Sequence, residues 1–283
     1  MSKAARIWLI TAAVLTVLGG ALITGAMAAN NWDIKRLGTV KYINSTYEIG
    51  EDFKNISIDV KTSDIVLEKS ADKKCRVEFY EAVKVKHTAE VKNGTLVISE
   101  KDRREWYDHL AFYSFERARM TLYLPKGVYE ELSIDNVTGD FKSSADFTFG
   151  KISMNTVTGD IRLSNANAEK VDISVTTGNV ELNEVKVKGD LSVKTTTGDV
   201  CFKDTVSSGL LSVNGTTGDI RFDNSDAEEI SVSTTTGDIT GTLRTEKDFS
   251  TDTNTGDVNV PDSDAGGECR LKTVTGDIEI KVE

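Results

Sequence analysis

One glycine returns at a nearly constant interval through the C-terminal half of this chain. It stands at Gly139, Gly159, Gly178, Gly198, Gly218, Gly237, Gly256 and Gly276, so successive copies lie 19 or 20 residues apart. A fixed period of that length marks a stacked architecture, in which one unit cannot bury its own apolar face and needs neighbours above and below.

The copies align into columns. Threonine precedes the glycine every time, from Thr138 to Thr275. Aspartate follows it at Asp140, Asp160, Asp199, Asp219, Asp238, Asp257 and Asp277, with Asn179 in the remaining copy. Two places after the glycine stand Phe141, Ile161, Val180, Val200, Ile220, Ile239, Val258 and Ile278. Seven places before it stand Leu132, Ile152, Val171, Leu191, Leu211, Ile230, Phe249 and Cys269. Five places before it the series is Ile134, Met154, Ile173, Val193, Val213, Val232, Thr251 and Leu271, with Thr251 the one polar member.

Within a copy, apolar and polar residues alternate, as in Leu191-Ser192-Val193-Lys194, which is the period of a half-buried strand. Val193 and Val200 are nevertheless an odd number of residues apart, and a straight strand would put them on opposite faces. The Thr-Gly-Asp turn must absorb that slip. Glycine suits the task because it reaches positive φ without a Cβ penalty. The aspartate is expected to accept hydrogen bonds from the amides of its own turn.

Such columns make sense if corners stack about 4.8 Å apart into ladders; an array of antiparallel hairpins would scatter them. The expected fold is all-β: a β-solenoid of about eight coils, right-handed by the usual preference of strand–crossover–strand connections. Seven intervals at that spacing make a rod of roughly 34 Å.

Ahead of the repeats, Lys3 and Arg6 precede a run from Ile7 to Trp32 that carries no charge. Residues 7–29 supply about 34 Å of helix, enough for a bilayer. Trp8 and Trp32 flank it, where interfacial aromatics belong. The expected organisation is a cytoplasmic tail at 1–6, a transmembrane signal anchor at 7–29 and a juxtamembrane linker with a first strand (Val40 to Ile49) at 30–52. A degenerate first repeat and β cap follow at 53–125, then the Thr-Gly-Asp solenoid at 126–283. Ala26-Met27-Ala28 resembles a signal-peptidase site, so a cleaved signal peptide is the competing reading; the apolar run is long for one. Either way the bulk of the chain is expected outside the cytoplasm, as the extracellular part of a single-pass protein of the cell membrane.

The degenerate repeat is Ile56-Ser-Ile58-Asp-Val60-Lys-Thr62-Ser63-Asp64-Ile65-Val-Leu67, with Ser63 in the glycine place. Between it and Gly139 lie a strand-like Cys75-Arg-Val77-Glu-Phe79, a hairpin signal at Asn93-Gly94, a charged and aromatic stretch from Lys101 to Arg119, and Met120-Thr-Leu122-Tyr-Leu124. A solenoid needs non-repeating structure over its open end, and residues 40–125 are expected to provide it. The apolar N-terminal span, the strand pair Ile56–Leu67, the junction Leu122-Tyr-Leu-Pro-Lys-Gly127 and the Thr-Gly-Asp run together resemble the putative adhesin family of bacterial envelope proteins. The resemblance covers nearly everything after residue 40. It implies a surface-facing, membrane-anchored β-repeat protein, in some members linked to envelope stress operons, with no catalytic residues to carry over.

The residues themselves offer little catalysis. Each coil has one carboxylate in the aspartate column and the next lies about 4.8 Å away, too sparse for the six to eight oxygens of a calcium cage. The outward column three after the glycine reads Lys142, Arg162, Glu181, Cys201, Arg221, Thr240, Asn259 and Glu279, mixed in sign as a solvated face is. His87 and His109 both fall in the cap insert, so no histidine is expected on the repeat face for acid–base work. His109 sits among Trp106, Tyr107, Phe112, Tyr113 and Phe115, a cluster expected to pack a loop on its own core. Cys75, Cys201 and Cys269 have no metal or redox spacing. The balance of 34 basic and 45 acidic residues argues against nucleic acid as a partner. No catalytic, cofactor or metal residues are expected. The reading is a non-enzymatic, membrane-tethered surface module, adhesin-like or a stress-associated envelope scaffold, with an envelope protein or surface glycan as partner. The alternative is a carbohydrate-binding or carbohydrate-active β-helix of the lyase or glycosidase kind.

Overall fold

The computed structural model describes residues 2–33, 40–105 and 116–283. From residue 128 onward the chain winds between two parallel sheets, each coil giving one strand to each. In one coil Leu191–Thr197 lies in the first sheet and Val200–Lys203 in the second. They pair in register with Val171–Thr177 and Val180–Asn183 of the preceding coil. Inward residues of both sheets fill the space between them: Leu191, Val193 and Val200 are buried, and so are their counterparts in neighbouring coils. Phe202 and Phe222 stack within that core with ring centroids 5.2 Å apart.

The parity slip is resolved at the glycine corner. All eight glycines have φ between 138° and 150°, backbone that side-chain-bearing residues rarely adopt. Stacking adds a second demand: a Cβ on Gly198 would lie 2.0 Å from the Gly178 carbonyl oxygen. Each corner is bonded to the next, as where the Gly198 amide donates to the Thr217 carbonyl at 2.9 Å and that of Val200 to Asp219 at 2.9 Å. A second corner, which the sequence columns did not disclose, places Asn165, Glu184, Asp204 and Asn224 in the left-handed region.

The coils do not stack in sequence order throughout. The Gly237 amide donates to Thr275, and the Gly276 amide to Thr255. Strands Gly267–Thr275 and Ile278–Val282 therefore lie between the Gly237 coil and the rung made by Lys247–Thr255 and Val258–Asn259. The expected succession of coils is corrected on this point, and side-chain chemistry supplies the reason. Cys269, Leu271, Ile278 and Ile280 are all buried and need apolar neighbours on both sides, at about 1.5–3 kcal/mol for each large side chain fully buried. The other rung offers Thr251, Thr253 and an exposed Val258, and stands at the end at little cost. Gly266 and Gly267 let the chain re-enter, since a Cβ on either would meet the Glu246 or Glu228 carbonyl oxygen at 2.0 or 1.8 Å.

The opposite end is covered by the cap. It comprises β1 (Tyr42–Ile49), β2 (Asn55–Lys69), β3 (Cys75–Ala82), β4 (Val85–Lys92), β5 (Thr95–Asp102) and β6 (Ala118–Leu124). β2 is itself a coil, pairing in parallel with Val128–Thr138 and Phe141–Ser143 below and with β5 and β6 above. Its Ser63 does occupy the glycine place, because the Gly139 Cβ position lies 2.2 Å from the Ser63 carbonyl oxygen. Strand direction then reverses: β4 runs antiparallel to β5, β3 to β6, and β1 to β3. Asn93 and Gly94 form the β4–β5 turn, both at positive φ. The first strand begins at Tyr42, two residues later than expected. His109 and the aromatic residues Trp106, Tyr107, Phe112, Tyr113 and Phe115 lie outside the described residues.

A helix over Lys3–Ala29 precedes the rod, with Ser2 accepting the Ala5 amide at its N-terminus and no residue buried.

Two glycine variants separate backbone strain from stacking. Gly94 also has positive φ, but nothing lies within 4 Å of its Cβ position. Gly94→Ala should cost about 1 kcal/mol, and Gly198→Ala about 3 kcal/mol or more. Urea denaturation of the two variants beside the parent measures the difference; equal losses would remove the stacking argument.

Candidate functional site

The aspartate column sits on the glycine corner, and its members other than Asp257 on the end rung serve the neighbouring coil rather than their own turn. Asp199 Oδ1 accepts the Asp219 amide at 2.9 Å, and Asn179 Oδ1 accepts the Asp199 amide at 2.8 Å. The same bond recurs from Asp64, which receives the Asp140 amide at 3.1 Å, to Asp277, which receives that of Asp257 at 2.8 Å. The expected turn-capping role is corrected accordingly: these side chains bind coil to coil. An amide oxygen serves as well as a carboxylate in the Asn179 copy. Among the described residues, no group of three His, Cys, Asp or Glu side chains is placed to hold a metal ion.

The outward column on the second sheet behaves as a solvated face. Arg162, for instance, pairs with Asp160 at 2.7 Å and Glu181 at 3.6 Å. On the first sheet, register aligns Ser133, Ser153, Asp172, Ser192, Ser212 and Ser231 in one half-exposed row. Their common position, six before the glycine, was available in the sequence. The three cysteines are free. Burial pushes the Cys75 and Cys269 thiols up to about 12 and also raises that of Cys201, so none is poised as a thiolate.

One constellation in the cap has the outline of a catalytic triad. Ser63 Oγ lies 3.2 Å from His87 Nε2, and His87 Nδ1 lies 2.9 Å from Glu81 Oε2. The sequence placed Ser63 in the repeat and His87 in the insert, and only the fold of β4 back over β2 brings them together. Three features close the site to chemistry. Ser63 and Glu81 are 1% exposed and His87 2%, leaving no approach for a substrate. Glu100 Oε2 faces the same Nε2 at 3.7 Å and also accepts the Lys61 and Thr62 amides at 2.9 and 3.3 Å. Glu81 is held by three donors besides the ring: the Ser45 hydroxyl at 2.6 Å, Lys86 at 3.2 Å and the His87 amide at 2.7 Å, with Phe79 stacked on the imidazole at 4.9 Å enforcing its plane. The cluster pins cap to rod.

Burial alone would raise the Glu81 carboxyl, but the hydrogen bonds from Ser45, His87 and Lys86 outweigh it and hold the group below the usual glutamate range. A depressed carboxyl contributes stability that is present above its unfolded value, about 4.3, and is lost as pH falls through the folded one. Thermal melts from pH 7 to pH 2.5 should show Glu81→Gln less stable than the parent at pH 7, with the gap narrowing below about pH 4.3. In the ladder, Asp199→Asn should be nearly neutral and Asp199→Ala should cost about 1 kcal/mol, because the Asp219 amide loses its acceptor. Melting curves of both variants check this; a loss in the Asn variant as large as in the Ala variant would show that charge matters.

Comparison with known proteins places these features in context. A family model described as Toastrack DUF4097 matches residues 53–210 and 189–283. The crystal structure of a putative adhesin from Bacteroides fragilis is similar over 85% of this chain and 97% of its own, with 17% identity and a TM-score of 0.57. That of a putative adhesin from Parabacteroides merdae covers 86% of this chain and 98% of its own, at 12% identity and a TM-score of 0.47. No curated protein matches the chain.

Proposed function

The chain belongs to the Toastrack DUF4097 family, and from that premise we propose that it is a non-enzymatic surface module, a rod tethered to the membrane and displayed outside the cytoplasm. One observation carries the reading. The helix over Lys3–Ala29 is long and apolar enough to cross a membrane, and none of it is buried against the rod. An apolar surface of that size needs another environment, and a bilayer supplies it. Residues 1–6 then lie inside, 7–29 span, and 30–283 stand outside, with the chain entering the rod through β1 at the cap end. The name putative adhesin carried by the Bacteroides fragilis structure agrees with a surface role at that coarse level.

The charge distribution supports display rather than adsorption. Residues 128–283 contain 29 acidic and 14 basic residues. An acidic rod is repelled by the anionic surface of a membrane, which favours a coil stack held off the bilayer.

Protease treatment of intact cells tests the topology. It should remove the repeats while an N-terminal tag stays protected and membrane-bound. Soluble mature chain beginning at Ala29 would instead identify a cleaved signal peptide.

A further inference from the structure

Lys247, the first residue of the end rung, is only 4% exposed, and its amine is turned into the rod. It lies 2.8 Å from Asp226 Oδ1, with the two side chains 5% and 11% exposed. Pairs such as Lys54–Glu130 and Lys151–Glu131 stand in solvent by contrast. Taking both charges of a pair out of water is costly unless the surroundings are arranged for them. Here they are arranged closely. Lys247 Nζ donates to the Ala227 carbonyl at 2.7 Å and to the Thr245 hydroxyl at 2.9 Å. That hydroxyl in turn donates to Asp226 Oδ2 at 2.7 Å, while the Ala227 amide donates to Asp226 Oδ1 at 2.8 Å. A primary amine, a carboxyl, a hydroxyl bridging the two and an amide donor on one carboxyl oxygen are the parts of an amide-forming condensation. We propose that Lys247 and Asp226 are a covalent modification site, joined by an isopeptide bond that the folded chain forms by itself.

The step balances without any other reactant. One proton passes from Nζ through the Thr245 hydroxyl to Oδ2, leaving a neutral amine beside a protonated carboxyl. Burial favours that transfer, because the neutral pair needs no hydration. The Nζ lone pair attacks Asp226 Cγ, and negative charge develops on Oδ1, where the Ala227 amide meets it. A second proton leaves Nζ by the same hydroxyl. The Cγ–Oδ2 bond then breaks and Oδ2 departs as water, with nothing oxidised or reduced. Thr245 lies on the exposed rim of the site, so the water has an exit. The product keeps one Nζ–H for the Ala227 carbonyl and a carbonyl oxygen for the Ala227 amide. Groups held in reacting orientation reach effective concentrations of about 10⁵ M or more, which turns a reaction that is unfavourable in bulk water into a favourable one.

The position of the bond gives it a structural consequence. Lys247 pairs with Gly267 of the C-terminal coil, and that coil pairs on its other side with the strand holding Ile230–Ser233. A bond from Lys247 to Asp226, which lies in that same strand, joins the two rungs that flank the C-terminal coil. The coil is clasped between them. The end rung, which among the described residues has a strand on one side alone, is thereby fixed to the coil beyond its neighbour. This inference is independent of the surface role and stands or falls without it.

Mass measurement of the full chain in denaturant tests the bond. The parent should be lighter than its sequence by one water. Lys247→Arg, which keeps a cation but offers no primary amine, should show its full sequence mass. Trypsin should release residues 222–244 and 245–270 of the parent as one branched peptide, uncut after Lys247. Thr245→Val, which removes the proton bridge, should slow joining at least about tenfold when it is followed from the moment of synthesis. A parent of full sequence mass whose Lys247 is cut by trypsin overturns the bond, whatever the variants do. Water loss that fragmentation places at other residues overturns it equally. Thr245→Val chains that join as fast as the parent would overturn the route through the hydroxyl.

Discussion

Everything regular in this molecule follows from the closeness of one corner to the next. A Cβ on almost any of the repeat glycines would sit 2.0–2.2 Å from the carbonyl oxygen of the adjoining corner. Nothing but hydrogen fits there. Once glycine is obligatory, the turn can adopt the positive φ that rotates the strand by one face, and apolar residues an odd number apart reach one core. The same closeness brings the column's side-chain oxygens, from Asp64 to Asp277 with Asp257 on the end rung excepted, within 2.8–3.1 Å of the next corner's amide. Column identity is thus a consequence of contact between copies, since each residue's nearest neighbour is its own equivalent.

A stack of this kind has two open ends, and the chain closes both by the same device. Its first and last coils, β2 and the rung of Gly267–Val282, are interior rungs with neighbours on both sides. The covering structure comes chiefly from insertions: residues 70–105 and 116–127 at one end, with β1 paired on them, and 244–266 at the other. Termini supply the apolar rungs, and insertions supply the polar or antiparallel elements that can face water. Ser63 belongs to this scheme. Above it lies the start of β6 at Ala118 rather than another glycine corner, so a side chain fits, and its hydroxyl meets His87.

The chemistry of the chain is directed to cohesion. The Ser63–His87–Glu81 set has the distances of a hydrolytic triad, but it is sealed and crowded by Glu100. The buried thiols are held protonated. Ser63, His87, Cys75 and Cys269 are turned inward, while the outward faces carry serine rows and mixed charges, which suits a module that acts by what it touches.

How much of this was legible in advance depended on whether a feature repeats. Glycine, threonine and aspartate columns encode the parallel stack, the turn and the core in the sequence, because identical neighbours impose identical demands. Ser63 as a first copy, the Asn93-Gly94 hairpin and the apolar N-terminal helix were readable from local pattern alone. The second corner was not, since Asn165, Glu184, Asp204 and Asn224 share a backbone conformation and no common residue type. Nor was the meeting of Ser63 with His87, which depends on how an insert folds back over a coil. The order of the last two rungs had a faint trace in Thr251, the single polar entry of its column. That trace acquires meaning only in three dimensions, where one rung must face water and the other must not.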